Sequence, residues 1–515
     1  MQMVEQTFSV APAQIVSSRP DFQGGLGPIQ KLENCCSKAS NESTAIMAQN
    51  PFHALTTSWQ AWEETMSKKL FTVGIDLALT GKHKAAIIGG GNEKPHYLRP
   101  FYSQPDELSS MLEHVRKYAG PDARIEFIME PTSYAWYPVT RWLVAHGYKV
   151  YLVRPEKVAD LRRFLKKHVK TDNIDGKTLA MLGLYNKEDL YPARLLDEAH
   201  MSCDRLCRQR ARFAAEMGSI KTRIKSHVGL AVPGLQAALS DMFNLMGIHI
   251  LQRCMNPHTT VKLGFKRFAA MCEKARRGSI PKAELEKIFQ TFVDSSRLYK
   301  EAESNGPIEL DFDDLQSEIL MELDHLKFLE KRIQQLDKRI EDLYEKIDPR
   351  KALTLIQGIG PVIAAALTAR IGNIQDFNNI GAFRSYCGLV PRKKQSSEKD
   401  QSGLRITKAG NRNLKQYLYM ASETARQWDP QFAKFYVRLR VEKSKHHKKA
   451  MVALANKMAN RVYAVLKRSA ANPEGEDVLY ELRDLEGKTI SKSRARQLAL
   501  EILAKNRKER SAEAA

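Results

Sequence analysis

The sequence has no uninterrupted apolar run of the roughly 18 residues that a membrane-spanning helix needs, and such a span is excluded. No basic start followed by an apolar core opens the chain, so its first residues do not read as a signal peptide. Cysteine is sparse: seven residues, at 35, 36, 203, 207, 254, 272 and 387, odd in number and scattered. That pattern excludes a disulfide framework and fits free thiols in a reducing compartment. His200, Cys203 and Cys207 lie close together, but no second ligand pair at zinc-finger spacing follows. Two small buried thiols on a helix are the expectation there. No His and Asp accompany a serine in a protease-triad pattern. Acid is the minority charge, with 59 Asp and Glu against 81 Lys and Arg, a formal net charge of +22 and a pI near 9.5. Such an excess points to a polyanionic partner, most often nucleic acid, and otherwise to a solvated basic face.

What is present is enough for a folded protein of about two to four domains: 515 residues, 43% of them hydrophobic. Residues 1–67 are rich in Ser, Gln, Asn and Pro and are expected to be disordered or a non-native extension, with translation beginning at Met66. Residues 68–190 then alternate strand and helix. Strands are expected at 70–76, 84–90, 97–103, 124–130 and 148–153, and helices at 106–118, 136–146, 156–168 and 174–186. A three-stranded meander followed by helix, strand, helix, strand, helix is the order of a ribonuclease H-like fold. Four acids stand at telling places in it. Asp76 ends Phe71-Thr72-Val73-Gly74-Ile75-Asp76, and Glu130 ends Ile125-Glu126-Phe127-Ile128-Met129-Glu130. Asp172 and Asp175 are one helical turn apart in Lys170-Thr171-Asp172-Asn173-Ile174-Asp175 and share a face if that turn is helical. Carboxylates placed this way can converge on hard divalent cations, Mg²⁺ or Mn²⁺, and paired cations cut phosphodiesters. The plainer reading is structural: acids are common at strand ends, and Asp172 would serve as a helix N-cap.

The remainder reads as helical. Residues 191–310 hold a basic helix over 196–228 and a helical insertion broken by Pro233, Pro257 and Pro281. Over 311–350 a heptad seam, Leu326, Leu329, Ile333, Leu336, Ile340, Leu343 and Ile347, predicts a coiled coil. It would serve dimerisation or pack antiparallel on the 196–228 helix, since an apolar seam does not name its partner. In 351–470, the turn Gln357-Gly358-Ile359-Gly360-Pro361 resembles a helix-hairpin-helix turn, whose free N–H groups at Gly358 and Gly360 would grip a phosphate; a tight helix–helix turn explains it equally well. A long basic loop spans 388–415, a helix resumes near 413–427, and a basic amphipathic stretch runs from Phe432 to Lys467. The tail, 471–515, is expected to be partly disordered, with a possible helix over 491–505.

The motifs taken together resemble a known family. Gly-Ile-Asp at 74–76, Met-Glu-Pro-Thr at 129–132 and Lys-Thr-Asp-x-x-Asp at 170–175 are similar to those of the DEDD transposases of the IS-one-ten and eleven-eleven insertion-sequence group. Ile-Gln-Gly-Ile-Gly-Pro at 356–361, Tyr-Cys-Gly-Leu-Val-Pro-Arg at 386–392 and Ile-Thr-Lys-Ala-Gly-Asn at 406–411 continue the likeness, which covers about 68–470. Two departures stand out: Ser133 where the family often has Gly, and Gly176 where Ala usually follows the last Asp.

The resemblance implies an α/β plus α protein. Its parts would be an amino-terminal ribonuclease H-like (RuvC-like) domain, a coiled coil and a mainly helical carboxy-terminal transposase domain with a catalytic serine in the loop after Gly-Leu-x-Pro. That serine falls on Ser396, with Ser397 one position away. It implies metal held by Asp76, Glu130, Asp172 and Asp175, and serine attack on DNA with a covalent intermediate. It further implies target and donor DNA selected by an element-encoded bridge RNA, in a homo-oligomer (dimer or tetramer) in the prokaryotic cytoplasm, associated with the nucleoid. Nucleic acid would be met by Gly358, Gly360, Arg392, Lys393, Lys408, Asn411 and Arg412. Two rivals predict otherwise: a RuvC-like junction nuclease would hydrolyse DNA without the serine, and a non-catalytic scaffold would carry its acids for structure alone.

Overall fold

In the computed structural model, residues 69–514 are described apart from 132, 166–171, 186–189, 191, 277, 305, 308–309, 392–394, 397–398, 401–403, 408–409 and 476. The expected extension at 1–67 therefore lies outside the described residues. The protein is a small mixed α/β unit followed by a mostly helical remainder. Five strands, β1 (Leu70–Asp76), β2 (Lys84–Gly89), β3 (Asn92–Tyr97), β4 (Arg124–Met129) and β5 (Lys149–Leu152), form one sheet in the order β3-β2-β1-β4-β5. The first three pair antiparallel, and β4 and β5 run parallel to β1, as the meander-then-crossover pattern predicts.

The third strand differs from expectation. It occupies Asn92–Tyr97, whereas the sequence reading placed it at 97–103. Gly89 pairs with Asn92 across Gly90 and Gly91, both at positive φ (65° and 87°), so the chain reverses in two residues and pairing resumes at once. The polar Asn-Glu-Lys-Pro-His-Tyr run conceals an edge strand, the one place in a sheet that tolerates Pro95.

Helices α1 (Pro105–Ala119) and α2 (Trp136–Ala145) cover one face of the sheet, where Val73, Ile75, Ile87, Phe127 and Met129 meet Leu112, Val115, Val139 and Leu143. On the other face, Ile128, Tyr151 and Val153 pack with Val158 of α3 (Pro155–Leu165) and with Leu179 and Leu182 of α4 (Asp172–Tyr185). Alternation along the strands thus divides the odd and even positions of β1 between two cores.

Beyond the sheet, α5 (Glu198–Ala231) and α11 (Phe312–Ile347) are long antiparallel partners. Arg210 pairs with Asp337, Glu216 with His325 at 3.4 Å, Arg223 with Glu322 and His227 with Glu318 at 3.5 Å, one number falling as the other rises. The heptad seam of α11 therefore packs within the chain. Between the two helices, α6 (Leu235–Ala238), α7 (Leu245–Arg253), α8 (Pro257–Leu263), α9 (Phe265–Arg276) and α10 (Lys282–Glu303) cap one half, with Phe268 and Phe292 against Ile224, Val228, Ile319 and Leu323. At the other half, Cys203, Cys207, Ile340 and Leu343 join the carboxy-terminal core.

That core is built by α12 (Pro361–Ile371), α13 (Ile380–Tyr386), α14 (Arg412–Trp428), α15 (Pro430–Arg440) and α16 (His447–Ala471). The stretch read as one amphipathic element from Phe432 to Lys467 is two helices, broken over 441–446, where Ser444 takes a positive φ of 44°. In the tail, the possible helix over 491–505 is present and extends further. The helix α17 (Lys492–Ala514) lays Ala495, Ala499 and Leu503, one face at four-residue spacing, inward, and Ala499 and Leu503 cluster with Ala433 of α15. Alanine-rich spacing among so many charges hides that face in the sequence. Among the described residues, no helix is long and apolar enough to cross a membrane.

Candidate active site

Ile75 of β1 pairs with Met129 of β4 in parallel register, so Asp76 and Glu130 are the next residues along, side by side at the carboxyl ends of adjacent parallel strands. Open α/β sheets bind ligands at those ends. Their facing follows from parity. Thr72 and Gly74 meet α4, and Ile128 meets it too, so the even positions that follow, Asp76 and Glu130, point to the same side. Lys84 stands opposite Asp76 across the antiparallel pair.

The third acid arrives from α4 by close backbone contact. A Cβ on Gly74 would lie 2.1 Å from the Gly176 carbonyl oxygen and 2.4 Å from the Ala180 nitrogen. A Cβ on Gly183 would lie 2.5 Å from Ile128 Cδ1. Gly176, Ala180 and Gly183 thus form a small-residue stripe that lets the helix rest directly on β1 and β4. Thr72 Oγ1 donates to the Ala180 carbonyl at 2.7 Å and fixes the register along the strand. Asp175 immediately precedes Gly176 and is buried, 9% exposed. The turn from Asp172 to Asp175 is helical, which puts those two acids on one face.

Asp76, Glu130 and Asp175 are therefore brought to one end of one sheet face; the side chain of Asp172 lies outside the described residues. Among the described residues, no three His, Cys, Asp or Glu side chains close into a ready-made ligand set. The donor chemistry, all carboxylate oxygen, suits a hard divalent cation, and Asp172 is the member that would add to it. In the group of His200, Cys203 and Cys207, His200 Nδ1 is held by Asp197 at 2.8 Å, and Cys203 and Cys207 are buried without a disulfide.

Glu130 leads into a tight turn in which Ser133 adopts φ 48°, the left-handed region that glycine enters without strain. The Gly that the resemblance sets at this position would take that conformation without strain. Gly176 is the reverse case. Its absent Cβ would find only ordinary contacts, at 3.5 Å or more, so the alanine usual there would fit.

Ser396 sits in the carboxy-terminal unit, not on the sheet. It ends β6 (Gln395–Ser396), which pairs with β7 (Lys399–Asp400) as a short hairpin; its side chain lies outside the described residues. The neck of this loop is well defined. A Cβ on Gly410 would lie 1.9 Å from Gly388 Cα, so the two strands of the neck touch backbone to backbone. Thr407 N–H donates to the Val390 carbonyl at 2.9 Å and Asn411 N–H to the Tyr386 carbonyl at 2.8 Å. From α16, Asn456 donates to the Leu389 carbonyl at 2.8 Å, and Asn460 accepts from Arg384 at 2.7 Å. The motifs at 386–392 and 406–411 are thus the two sides of one clamp.

Of the residues expected at nucleic acid, Arg392, Lys393 and Lys408 lie outside the described residues. Asn411 caps α14, its side-chain oxygen accepting from Asn413 and Leu414 N–H groups. Arg412 follows it, exposed. Gly358 (φ 94°) packs against α14, where a Cβ would lie 2.3 Å from the Ala421 carbonyl, whereas Gly360 is exposed and has open space around it.

One residue that the sequence did not single out joins the two units. Arg194 donates to the Ile371 and Asn373 carbonyls at 2.9 and 3.1 Å, pairs with Asp376 at 2.6 Å and lies over the Phe377 ring. Its only sequence signal is a lone arginine between the sheet and the basic helix.

Comparison with known proteins agrees with this two-part layout. Residues 73–233 match a DEDD transposase family of the IS110 type, and residues 350–437 match the transposase IS116/IS110/IS902 family. The first span contains all four acids and the second contains Ser396. The chain belongs to the IS110 family of transposases. It is 23% identical to the insertion element IS110 uncharacterized 43.6 kDa protein of Streptomyces coelicolor, over 77% of this chain and 93% of that one. It is 22% identical to the insertion element IS116 uncharacterized 44.8 kDa protein of Streptomyces clavuligerus, over 63% of this chain and 78% of the relative. A shorter match, 35% identical over 103 residues, is to a probable family 20 transposase of Pseudomonas aeruginosa, covering 20% of this chain and 30% of that one. As an IS110-family transposase the protein acts on DNA.

Proposed function

We propose that this transposase breaks and rejoins DNA with a site shared between its two units: Asp76 and Glu130 at the strand ends and Asp172 and Asp175 on α4 of the RuvC-like unit, and Ser396 on the clamped hairpin. The observation that carries the reading is the backbone contact of Gly74 with Gly176, which sets Asp175 on the face that holds Asp76 and Glu130. A divalent cation held by those acids, Mg²⁺ or Mn²⁺, would supply charge neutralisation at the phosphodiester. The chain's own contribution is to hold the carboxylates in register and to present the serine. Ser396 Oγ loses its proton and forms a bond to phosphorus, one phosphorus–oxygen bond of the DNA breaks, and the released hydroxyl takes up a proton. The adduct conserves the phosphodiester's bond count, so rejoining to a second strand needs no other energy source.

Selection of target and donor by an element-encoded bridge RNA belongs to the same reading. It is supported by the +22 charge, which favours polyanionic partners, and by the basic residues flanking the serine loop, Arg392, Lys393, Lys408 and Arg412. Gly360 and the open start of α12 offer a further backbone contact for phosphate. The seam of α11 is engaged within the chain, so assembly as a dimer or tetramer would use other surfaces. The test is replacement of Ser396 by Ala. It should abolish covalent capture of DNA and recombination and leave RNA binding intact. Full recombination by that variant, or free hydrolysed ends in place of an adduct, defeats the serine and leaves a metal-dependent nuclease. Unchanged function in Asp76→Asn defeats the acids.

A further inference from the structure

Two stripes of side chains face one another beside Glu130. On α2 and the turn before it, Tyr134, Tyr137 and Arg141 recur at helical spacing; on α5, Met201, Arg205 and Arg208 do the same. The cleft between them measures about 400 Å³ and is lined by Tyr137, Arg141, Met201 and Arg205, with Asp197 and Glu198 also on its wall. Asp197 is engaged by His200. About one turn further along each stripe, beyond the cleft's lining, the Arg208 guanidinium lies over the Tyr134 ring, 5.3 Å from its centroid, and Tyr134 is still 49% exposed.

The charge of Arg208 is only partly met there. Arg208 reaches Asp204 at 3.1 Å, but both Asp204 oxygens already accept from Arg370 at 2.7 Å. One carboxylate serves two guanidiniums, and among the described residues Arg208 Nε is buried with no hydrogen-bond partner. Buried donors of that kind are rare and call for an acceptor. Arg205 donates to Ser202 at 3.1 Å and is exposed, as is Arg141.

We propose that this cleft holds an unpaired stretch of the DNA strand next to the reacting phosphodiester, its phosphates on Arg141, Arg205 and Arg208 and a base on Tyr134. This rests on the acid-site reading above, since Tyr137, the first lining residue on α2, lies only seven residues beyond Glu130 in the chain. Its size suits about one or two nucleotides and not a duplex. Aromatic faces beside arginines bind single strands with little regard to sequence, by stacking and charge.

The experiment is fluorescence anisotropy with the full chain, freed of nucleic acid, and a labelled oligothymidine. A duplex and a single-stranded RNA of matched length serve for comparison. Tyr134→Ala should weaken single-stranded DNA binding about tenfold. The double replacement of Arg141 and Arg205 by Ala should lower the slope of log affinity against log salt by about 1.4, from roughly 0.7 per phosphate contact. Both arginines are exposed, so that variant tests the cleft without disturbing the fold. Unchanged single-stranded DNA affinity and slope in both variants overturns the proposal. A loss confined to RNA overturns the DNA assignment. Asp76→Asn should retain wild-type oligothymidine binding while losing strand breakage. If it keeps strand breakage, the acid reading fails, and the anisotropy result still judges the cleft by itself.

Discussion

Adding one methyl group at each of two glycines, Gly74 and Gly176, should have opposite effects, although the two touch each other. In Gly74→Ala the new Cβ would lie 2.1 Å from the Gly176 carbonyl oxygen, where carbon and oxygen normally stay about 3.3 Å apart. Helix α4 must lift from β1 by more than about 1 Å. Overpacking of this kind costs about 1–3 kcal/mol, and loss of the Thr72–Ala180 hydrogen bond adds about 1 kcal/mol. A local destabilisation of about 3 kcal/mol follows, which exposes the amides of residues 172–185 to exchange roughly 100-fold more often. The lift also carries Asp175 away from Asp76 and Glu130, so DNA strand breakage should be lost. In Gly176→Ala the new methyl meets nothing nearer than 3.5 Å, and alanine favours the helix by roughly 1 kcal/mol. Exchange over 172–185 should slow, with activity retained. Hydrogen exchange read by mass spectrometry on peptides from β1 and α4 measures both. Wild-type protection of 172–185 in Gly74→Ala would refute the close approach as the element that sets the acid site.

Three further outcomes follow from particular contacts. Ser133→Gly relieves a left-handed serine and should stabilise the turn after Glu130 by about 1 kcal/mol, seen as slower exchange in peptides spanning 130–137. Arg194→Ala removes two charged hydrogen bonds and an ion pair between the units. It should speed proteolysis between 190 and 197 and lower recombination while the oligothymidine affinity of the cleft persists. Burial pushes the thiols of Cys254, Cys272 and Cys387 up to about 12 from the usual 9. A raised thiol pKa lends stability that is complete below pH 9 and is lost as pH rises toward 12. The urea midpoint should therefore fall above about pH 9, and replacing the three cysteines by alanine should flatten that slope even though it lowers the plateau.

The acids were legible in the sequence because a strand buried on both faces writes itself as a continuous apolar run, and a charge at its end is conspicuous. Phe71–Ile75 and Phe127–Met129 are such runs. What brings the third acid to them was not legible. Gly74 and Gly176 are a hundred residues apart, and a missing side chain announces no partner. The same holds for Gly388 and Gly410, which make two separate motifs one neck. The edge strand β3 was missed because one-sided pairing tolerates polar residues and Pro95. The seam of α11 was visible, yet only the ion pairs along α5 reveal which surface it meets. Arg194 carries no periodic signal, since its importance comes from what other segments bring to it.

The account stands or falls on whether one serine and the acid group act on the same phosphodiester. The direct measurement is to trap the transposase on a DNA substrate carrying the end of its own element, digest it and map the DNA-linked peptide by mass spectrometry. A single adduct on the peptide containing Ser396, absent in both Ser396→Ala and Asp76→Asn, is the result predicted. Strand breakage without any adduct in the unaltered protein, or an adduct that persists when Asp76 is replaced, would contradict it.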